Sequence, residues 1–217
     1  MRPLTLERPK PLIEVAGRPL IEHVLTALPP SVAEIIIIVG YKGEMIKSHL
    51  GAEHQGRPIR YVTQDVYNGT ARALTLARPF LAGKFLLLAA DDIHGAAALE
   101  AATTHPLALL VSEHSEPERF GVVIPTTEGT LGEIVEKPEH PQGNLVSTGA
   151  MVLDTDIFSH EAERHTSGEY YLTGPLGLLA RARPIALVTQ PLWIPVGRPE
   201  DIGPAEALLA AHTKTHL

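Results

Sequence analysis

Four short polar stretches carry side chains able to do chemistry. Pro9-Lys10-Pro11 lies in a segment with four prolines among its first twenty residues. Fixed φ angles and missing amide donors there predict a rigid, extended loop, and Arg2, Arg8 and Lys10 on such a loop can hold an anion. Asp91-Asp92 closes the apolar run Phe85–Ala90. Carboxylates at that point can hold a Mg²⁺ on phosphates or cap the helix that follows. In QDVYNGTARAL, Gln64 can both donate to and accept from a pyrimidine base. Gly69 would let the base approach the backbone, and Thr70 reads equally well as a helix cap. EIVEKP ends on Glu136 and Lys137, a carboxylate for sugar hydroxyls and a point charge for phosphate, or a surface ion pair before a turn. Gly121, inside RFGVV, marks a bulge or a close ligand approach.

The elements that must position these residues alternate in the first half. Leu20, Ile21, Val24, Leu25 and Leu28 have helical spacing and stop at Pro29-Pro30. EIIIIVGY is a β-branched run closed by glycine, a strand buried on both faces as in parallel sheets. A helix over Glu44–Leu50, a strand PIRYVTQ, a helix from near Thr70, a buried strand KFLLLAADD, a helix Gly95–Thr103 and a strand Leu107–Ser112 follow. This alternation predicts an α/β fold with a doubly wound sheet, whose ligands bind at the carboxyl ends of the strands. The second half differs. RFGVVIPTTEGTLGEIVEKP reads as an antiparallel hairpin, followed by a strand NLVSTGAMVLD, a helix Leu172–Ala182, a strand IALVTQ and a closing helix Pro199–His212. Trp193, the only tryptophan, reads as a core anchor.

Totals exclude several classes. A chain of 217 residues with 44% hydrophobic and 20% charged residues can bury a sizeable core in one domain. A net charge of −7 argues against a nucleic-acid partner. No cysteine is present, which removes disulfides and thiolate chemistry. Apolar runs such as Ile35–Val39 are too short to cross a membrane, no signal peptide is recognisable, and a cytoplasmic protein is expected. The eleven histidines read as mostly surface residues.

The order of the motifs is more specific than any one of them. RPLT, PKPL and VAGRPLIEHVL, then Q…GTA, a strand with Asp, RFGVV, EKP, TGA and W…G.PED together resemble the sugar-1-phosphate nucleotidyltransferases, the family of glucose-1-phosphate thymidylyl- and uridylyltransferases. The resemblance runs from Arg2 to about Leu209. It implies a Rossmann-like mixed sheet of the nucleotide-diphospho-sugar transferase type in a single domain over 1–217, with a smaller antiparallel sugar-binding lobe at about 113–175. It also implies the reaction: UTP or dTTP and a sugar 1-phosphate give nucleotide-sugar and pyrophosphate, with Mg²⁺ as cofactor. Lys10 would hold the nucleotide phosphates, Gln64, Gly69 and Thr70 would bind the nucleotide, and Asp91 would carry the metal. Gly121, Glu136 and Lys137 would hold the sugar phosphate, and Thr148 and Gly149 would line the sugar pocket. Lys10, Lys137 and Asp91 would be the catalytic set. A homo-oligomer is expected, because the family commonly forms dimers and tetramers.

Two departures from the family pattern set further expectations. In the family a strand and a glycine-rich loop of the form AAGxGTR precede RPLT, and here Met1 stands where the last hydrophobic residue of that segment belongs. The expectation is a native start upstream, little or no activity in the chain as given, and unpaired edges on the strands at Ile35–Val39 and Phe85–Ala90. The family also usually has a metal-binding aspartate two residues after the tryptophan, where this chain has Pro195; Asp92 or Asp201 could compensate. A non-catalytic nucleotide-sugar-binding or regulatory relative is the alternative. A glycosyltransferase using Asp91-Asp92 is a third reading, disfavoured by the joint presence of PKP and EKP.

Overall fold

The computed structural model describes residue 1 and residues 3–215, with side chains up to His212; Arg2 lies outside the described residues. Thirteen strands and six helices are present among them. The strands are β1 Glu14–Val15, β2 Arg18–Pro19, β3 Ile35–Val39, β4 Glu53–His54, β5 Arg57–Thr63, β6 Lys84–Leu87, β7 Asp92–His94, β8 Ala108–Glu113, β9 Gly121–Pro125, β10 Leu131–Glu136, β11 Leu145–Asp154, β12 Ala186–Thr189 and β13 Trp193–Pro195. The helices are α1 Leu20–Thr26, α2 Gly43–Leu50, α3 Thr70–Ala77, α4 Ala96–Thr103, α5 Thr173–Ala182 and α6 Ile202–Thr215.

A six-stranded sheet in the order β10-β9-β11-β8-β12, with β6 also on β11, forms the centre. Alternation along β8 shows how it is covered. Leu109 and Val111, with Leu107 just before the strand, face Leu74 of α3 and Leu176 and Leu179 of α5. Ala108 and Leu110 face Ala98, Leu99 and Ala102 of α4. Opposite faces of one strand thus pack on opposite helix layers, because successive side chains point to opposite sides. That double burial is why this stretch reads as a continuous apolar run. A second sheet, β3-β5-β4, packs through Ile35, Ile37 and Val39 against Ile21 and Leu25 of α1.

The mixed α/β class follows from the pattern, and its proportions differ from the expectation. Among the described residues only β3 with β5 and β8 with β12 pair in parallel; the other ladders are antiparallel. The run at Phe85–Ala90, expected to be a fully buried strand, is strand only to Leu87 and half-buried throughout. Its single neighbour is β11, and β3 likewise pairs only with β5, so both have an open edge among the described residues, as expected. The N-terminal segment is also different: it is not extended, and winds into 3₁₀ turns at Leu4–Leu6 and Lys10–Leu12. Proline's fixed φ suits such a turn as well as it suits an extended chain. No described helix is long and apolar enough to cross a membrane.

Candidate active site

Lys10 opens its 3₁₀ turn directly after the extended Pro9. Ile13 and Val15, just beyond, pack with Ile93 of β7 and Ile194 of β13, and this packing delivers the lysine to the two aspartates. Lys10 Nζ lies 2.5 Å from Asp91 Oδ2. Asp92 starts β7, opposite Pro195 of β13, and its Oδ2 accepts a hydrogen bond from Trp193 Nε1 at 3.1 Å. Neither aspartate caps α4, which begins behind Gly95 with no side-chain cap; the capping reading therefore fails. Burial and the neighbouring Asp91 charge push the Asp92 carboxyl up to about 7.

Two carboxylates held this close, one of them resisting ionisation, fit a divalent cation that would offset their repulsion. No cluster of three or more histidine or acidic ligands occurs among the described residues, so water and phosphate oxygens would complete the shell, as is usual for Mg²⁺. Asp201 is committed elsewhere: its Oδ2 accepts from the Arg198 amide at 2.7 Å and pairs with Arg119 at 3.5 Å.

The tryptophan links this pair to the hairpin. Its ring meets Phe120 edge-on at 5.0 Å and His114 at 5.9 Å. The next residue, Gly121, pairs with Glu136 across the β9–β10 ladder. A Cβ on Gly121 would press on Ile134 and Thr173, each 3.2 Å away, so its lack of a side chain serves packing. Burial pushes the Glu136 carboxyl up, opposed by Lys137 and a hydrogen bond from Thr173. Lys137 adopts φ +43°, which re-aims its side chain: Nζ lies 3.7 Å from Glu136, 4.7 Å above the Tyr171 ring and 3.4 Å from the Tyr171 hydroxyl.

Gln64 follows β5, tied by its amide to the Val39 carbonyl at 2.8 Å. Its side-chain Nε2 is buried and has no hydrogen-bond partner among the described residues, a donor that native proteins rarely leave unused. Gly69 caps α3 with φ +111°, and a Cβ there would collide with the backbone of Tyr170. At this crossing Tyr170 N donates to Asn68 O at 2.8 Å and Ala71 N to Tyr170 O at 3.0 Å. Thr70 Oγ1 accepts from Leu172 N at 3.2 Å. Gly69 and Thr70 thus fasten the 170–172 segment onto the start of α3.

Thr148 is fully buried, and its hydroxyl donates to the Leu110 carbonyl at 3.1 Å. Gly149, at φ +73°, gives its carbonyl to Ala89 N at 3.1 Å. Thr148 thus ties β11 to β8, and Gly149 anchors the segment after β6 that leads into Asp91. Arg8 is exposed and pairs with Glu14 at 3.4 Å.

A continuous run of contacts therefore passes from Lys10 through Asp91-Asp92, Trp193, Phe120-Gly121 and Glu136-Lys137 to Tyr171, Tyr170 and Gly69, and so to the strand end carrying Gln64. Tyr170 and Tyr171 are the members that sequence reasoning missed. They lie just before the helix expected at Leu172–Ala182, and nothing local signals that Tyr171 meets a lysine 34 residues away.

His94 also departs from the surface reading. It is 3% exposed and hydrogen-bonded through Nδ1 to the buried Gln190 side chain. Burial pushes its pKa below the ordinary histidine value. A depressed pKa means that its contribution to stability is present above pH ~6.5 and is lost as pH falls through the folded-state value. Melting temperature followed from pH 7.5 to 5 should fall less steeply in His94→Asn than in the parent chain; parallel slopes would show that His94 does not titrate with unfolding.

The chain is similar to known proteins in sequence and fold. The nucleotidyl transferase family model matches residues 1–216. The chain is 34% identical to the UTP–glucose-1-phosphate uridylyltransferase AglF of Haloferax volcanii, over 98% of this chain and 93% of the relative. It is 32% identical to the bifunctional protein GlmU of Methanocaldococcus jannaschii over its whole length, and spans about half (53%) of that relative. A solved structure described as a glucose-1-phosphate thymidylyltransferase of Bacillus anthracis, in complex with sucrose, superposes with a TM-score of 0.84 at 26% identity, covering 96% of this chain and 89% of that one. With its fold, its motif order and these relatives in agreement, the chain belongs to the nucleotidyl transferase family, among the sugar-1-phosphate nucleotidyltransferases.

Proposed function

We propose that this protein joins a pyrimidine nucleoside triphosphate to a sugar 1-phosphate and releases pyrophosphate, with UTP favoured over dTTP and Mg²⁺ as the metal. The observation that carries this reading is the Lys10–Asp91 pair, connected through packed side chains to a second lysine, Lys137. Two cations and a carboxylate pair suit a reaction whose difficulty is negative charge rather than a poor nucleophile. Lys10 neutralises the triphosphate. Lys137, steadied by Glu136 and Tyr171, holds the sugar phosphate so that its oxygen lies in line with the α-phosphorus. Gln64 reads the base with its amide. A bound Mg²⁺ at Asp91 and Asp92 would add further neutralisation of phosphate charge. UTP is favoured because AglF, whose name gives UTP and glucose 1-phosphate, aligns over nearly the whole chain.

Pyrophosphate release on mixing UTP, glucose 1-phosphate and Mg²⁺ tests the reading. Nucleotide-sugar binding with no pyrophosphate release under any sugar phosphate would point to the non-catalytic alternative, which Pro195 favours. Within the catalytic reading, Gln64→Ala should raise the UTP KM about tenfold, the cost of roughly one hydrogen bond, and change kcat little. An unaltered KM would remove Gln64 from the base site.

A further inference from the structure

A cavity of about 220 Å³ lies behind α3, between that helix, the 3₁₀ turn Thr155–Ser159 and the start of α5. Its floor is apolar, with Leu74, Ile157 and Leu172 buried there, and its rim carries Arg72 and Arg78. Arg72 holds its guanidinium 4.4 Å over the Tyr170 ring, and Arg78 lies 5.4 Å over Phe158. Each is exposed, and neither guanidinium makes a hydrogen bond or pairs with a carboxylate among the described residues. Arg8, Arg18, Arg60, Arg119 and Arg183 have acidic partners, whereas Arg57, Arg164, Arg181 and Arg198, like Arg72 and Arg78, form no ion pair among the described residues. What sets Arg72 and Arg78 apart is that both line the same cavity and each lies over an aromatic ring. Glu161 also lines it and pairs with neither; His160 lies beside it.

Ring stacking fixes the plane of a guanidinium and leaves its N–H edge free. A pair of such edges above an apolar floor suits a ligand with several acceptor oxygens on a compact apolar body. We propose that this cavity is a second ligand site, separate from the candidate active site, which binds a phosphomonoester: the phosphate between Arg72 and Arg78, and the body on Leu74, Ile157 and Leu172.

Phenyl phosphate and inorganic phosphate, titrated calorimetrically at low ionic strength, test the proposal without relying on activity. Lys10→Ala is the background, which removes a phosphate-holding charge from the active site. Phenyl phosphate should bind this variant, and bind it more tightly than inorganic phosphate does. Adding Arg72→Gln and Arg78→Gln should weaken that binding at least tenfold. Both side chains are exposed, so the melting temperature should hold, and Arg181→Gln, exposed, outside the cavity and equal in charge change to one of them, should leave binding intact. Equal binding with and without the two arginines would overturn the site. Equal affinities for the two probes would overturn the role given to the apolar floor, and an equal loss in Arg181→Gln would show general charge attraction only.

Discussion

Asp91→Asn should lower pyrophosphate-releasing turnover about a thousandfold while moving the melting temperature by no more than a few degrees. The two halves of that expectation have different causes. Asp91 and Lys10 form an ion pair whose side chains are 37% and 24% exposed. Pairs in such positions contribute roughly 0–1 kcal/mol to folding, and asparagine still accepts a hydrogen bond from the lysine. Catalysis depends on the charge itself. Groups aimed at a transferring phosphoryl group act in a site where each charge counts for more than it does in water, and removing one costs about 10²–10³ in rate. Asparagine also loses the formal charge that would hold Mg²⁺, which adds to the loss. Asp92→Asn should be the milder change, because its oxygen would still accept from Trp193. Turnover unchanged in Asp91→Asn would refute its assignment as metal ligand, and a large fall in melting temperature would make its role structural.

The parts of this molecule legible in the sequence are those whose causes are local. β8 announces itself because Ala108–Val111 is buried on both faces and apolar throughout, and the second half of β11, Ala150–Leu153, does so for the same reason. The hairpin β9–β10 is given by its Thr-Glu-Gly turn, and α5 by helical spacing. Lys10, Gln64, Asp91, Glu136 and Lys137 stand at element ends, where short motifs can be recognised. The meeting of β7 with β13 is not local. Asp92 and Pro195 face each other across about a hundred residues of chain, and three-residue strands are too short to show a period. His94 escaped for the same reason: its environment is made by Gln190, from the other end of the sequence. Half-burial of Leu86 and Leu88 was equally illegible, since composition reports what a strand can bury and not whether a neighbour covers it.

The clasp at Gly69 is the sharpest case of a motif whose residues were visible and whose partner was not, and it carries the second large expectation. Gly69→Ala should lower the melting temperature by several degrees and raise the nucleotide KM by tenfold or more. Two costs add. A φ of +111° suits glycine alone, and strain of this kind runs to about 1–3 kcal/mol. The added methyl would also have to displace the Tyr170 backbone rather than a flexible side chain. Relief requires the 170–172 segment to lift from α3, breaking the bonds from Tyr170 N to Asn68 O and from Ala71 N to Tyr170 O. Lifting it moves Tyr171, and with it the support under Lys137. The sugar-phosphate KM should therefore rise together with the nucleotide KM, although the proposed role of Gly69 is on the nucleotide side. Gly174→Ala is the matched control: it lies in α5 with open space where its Cβ would be, and alanine there should stabilise by about 0.4–1 kcal/mol. A Gly69→Ala protein with the parent melting temperature and both KM values unchanged would mean that the crossing tolerates a side chain, and that the two halves of the candidate site are not joined through it.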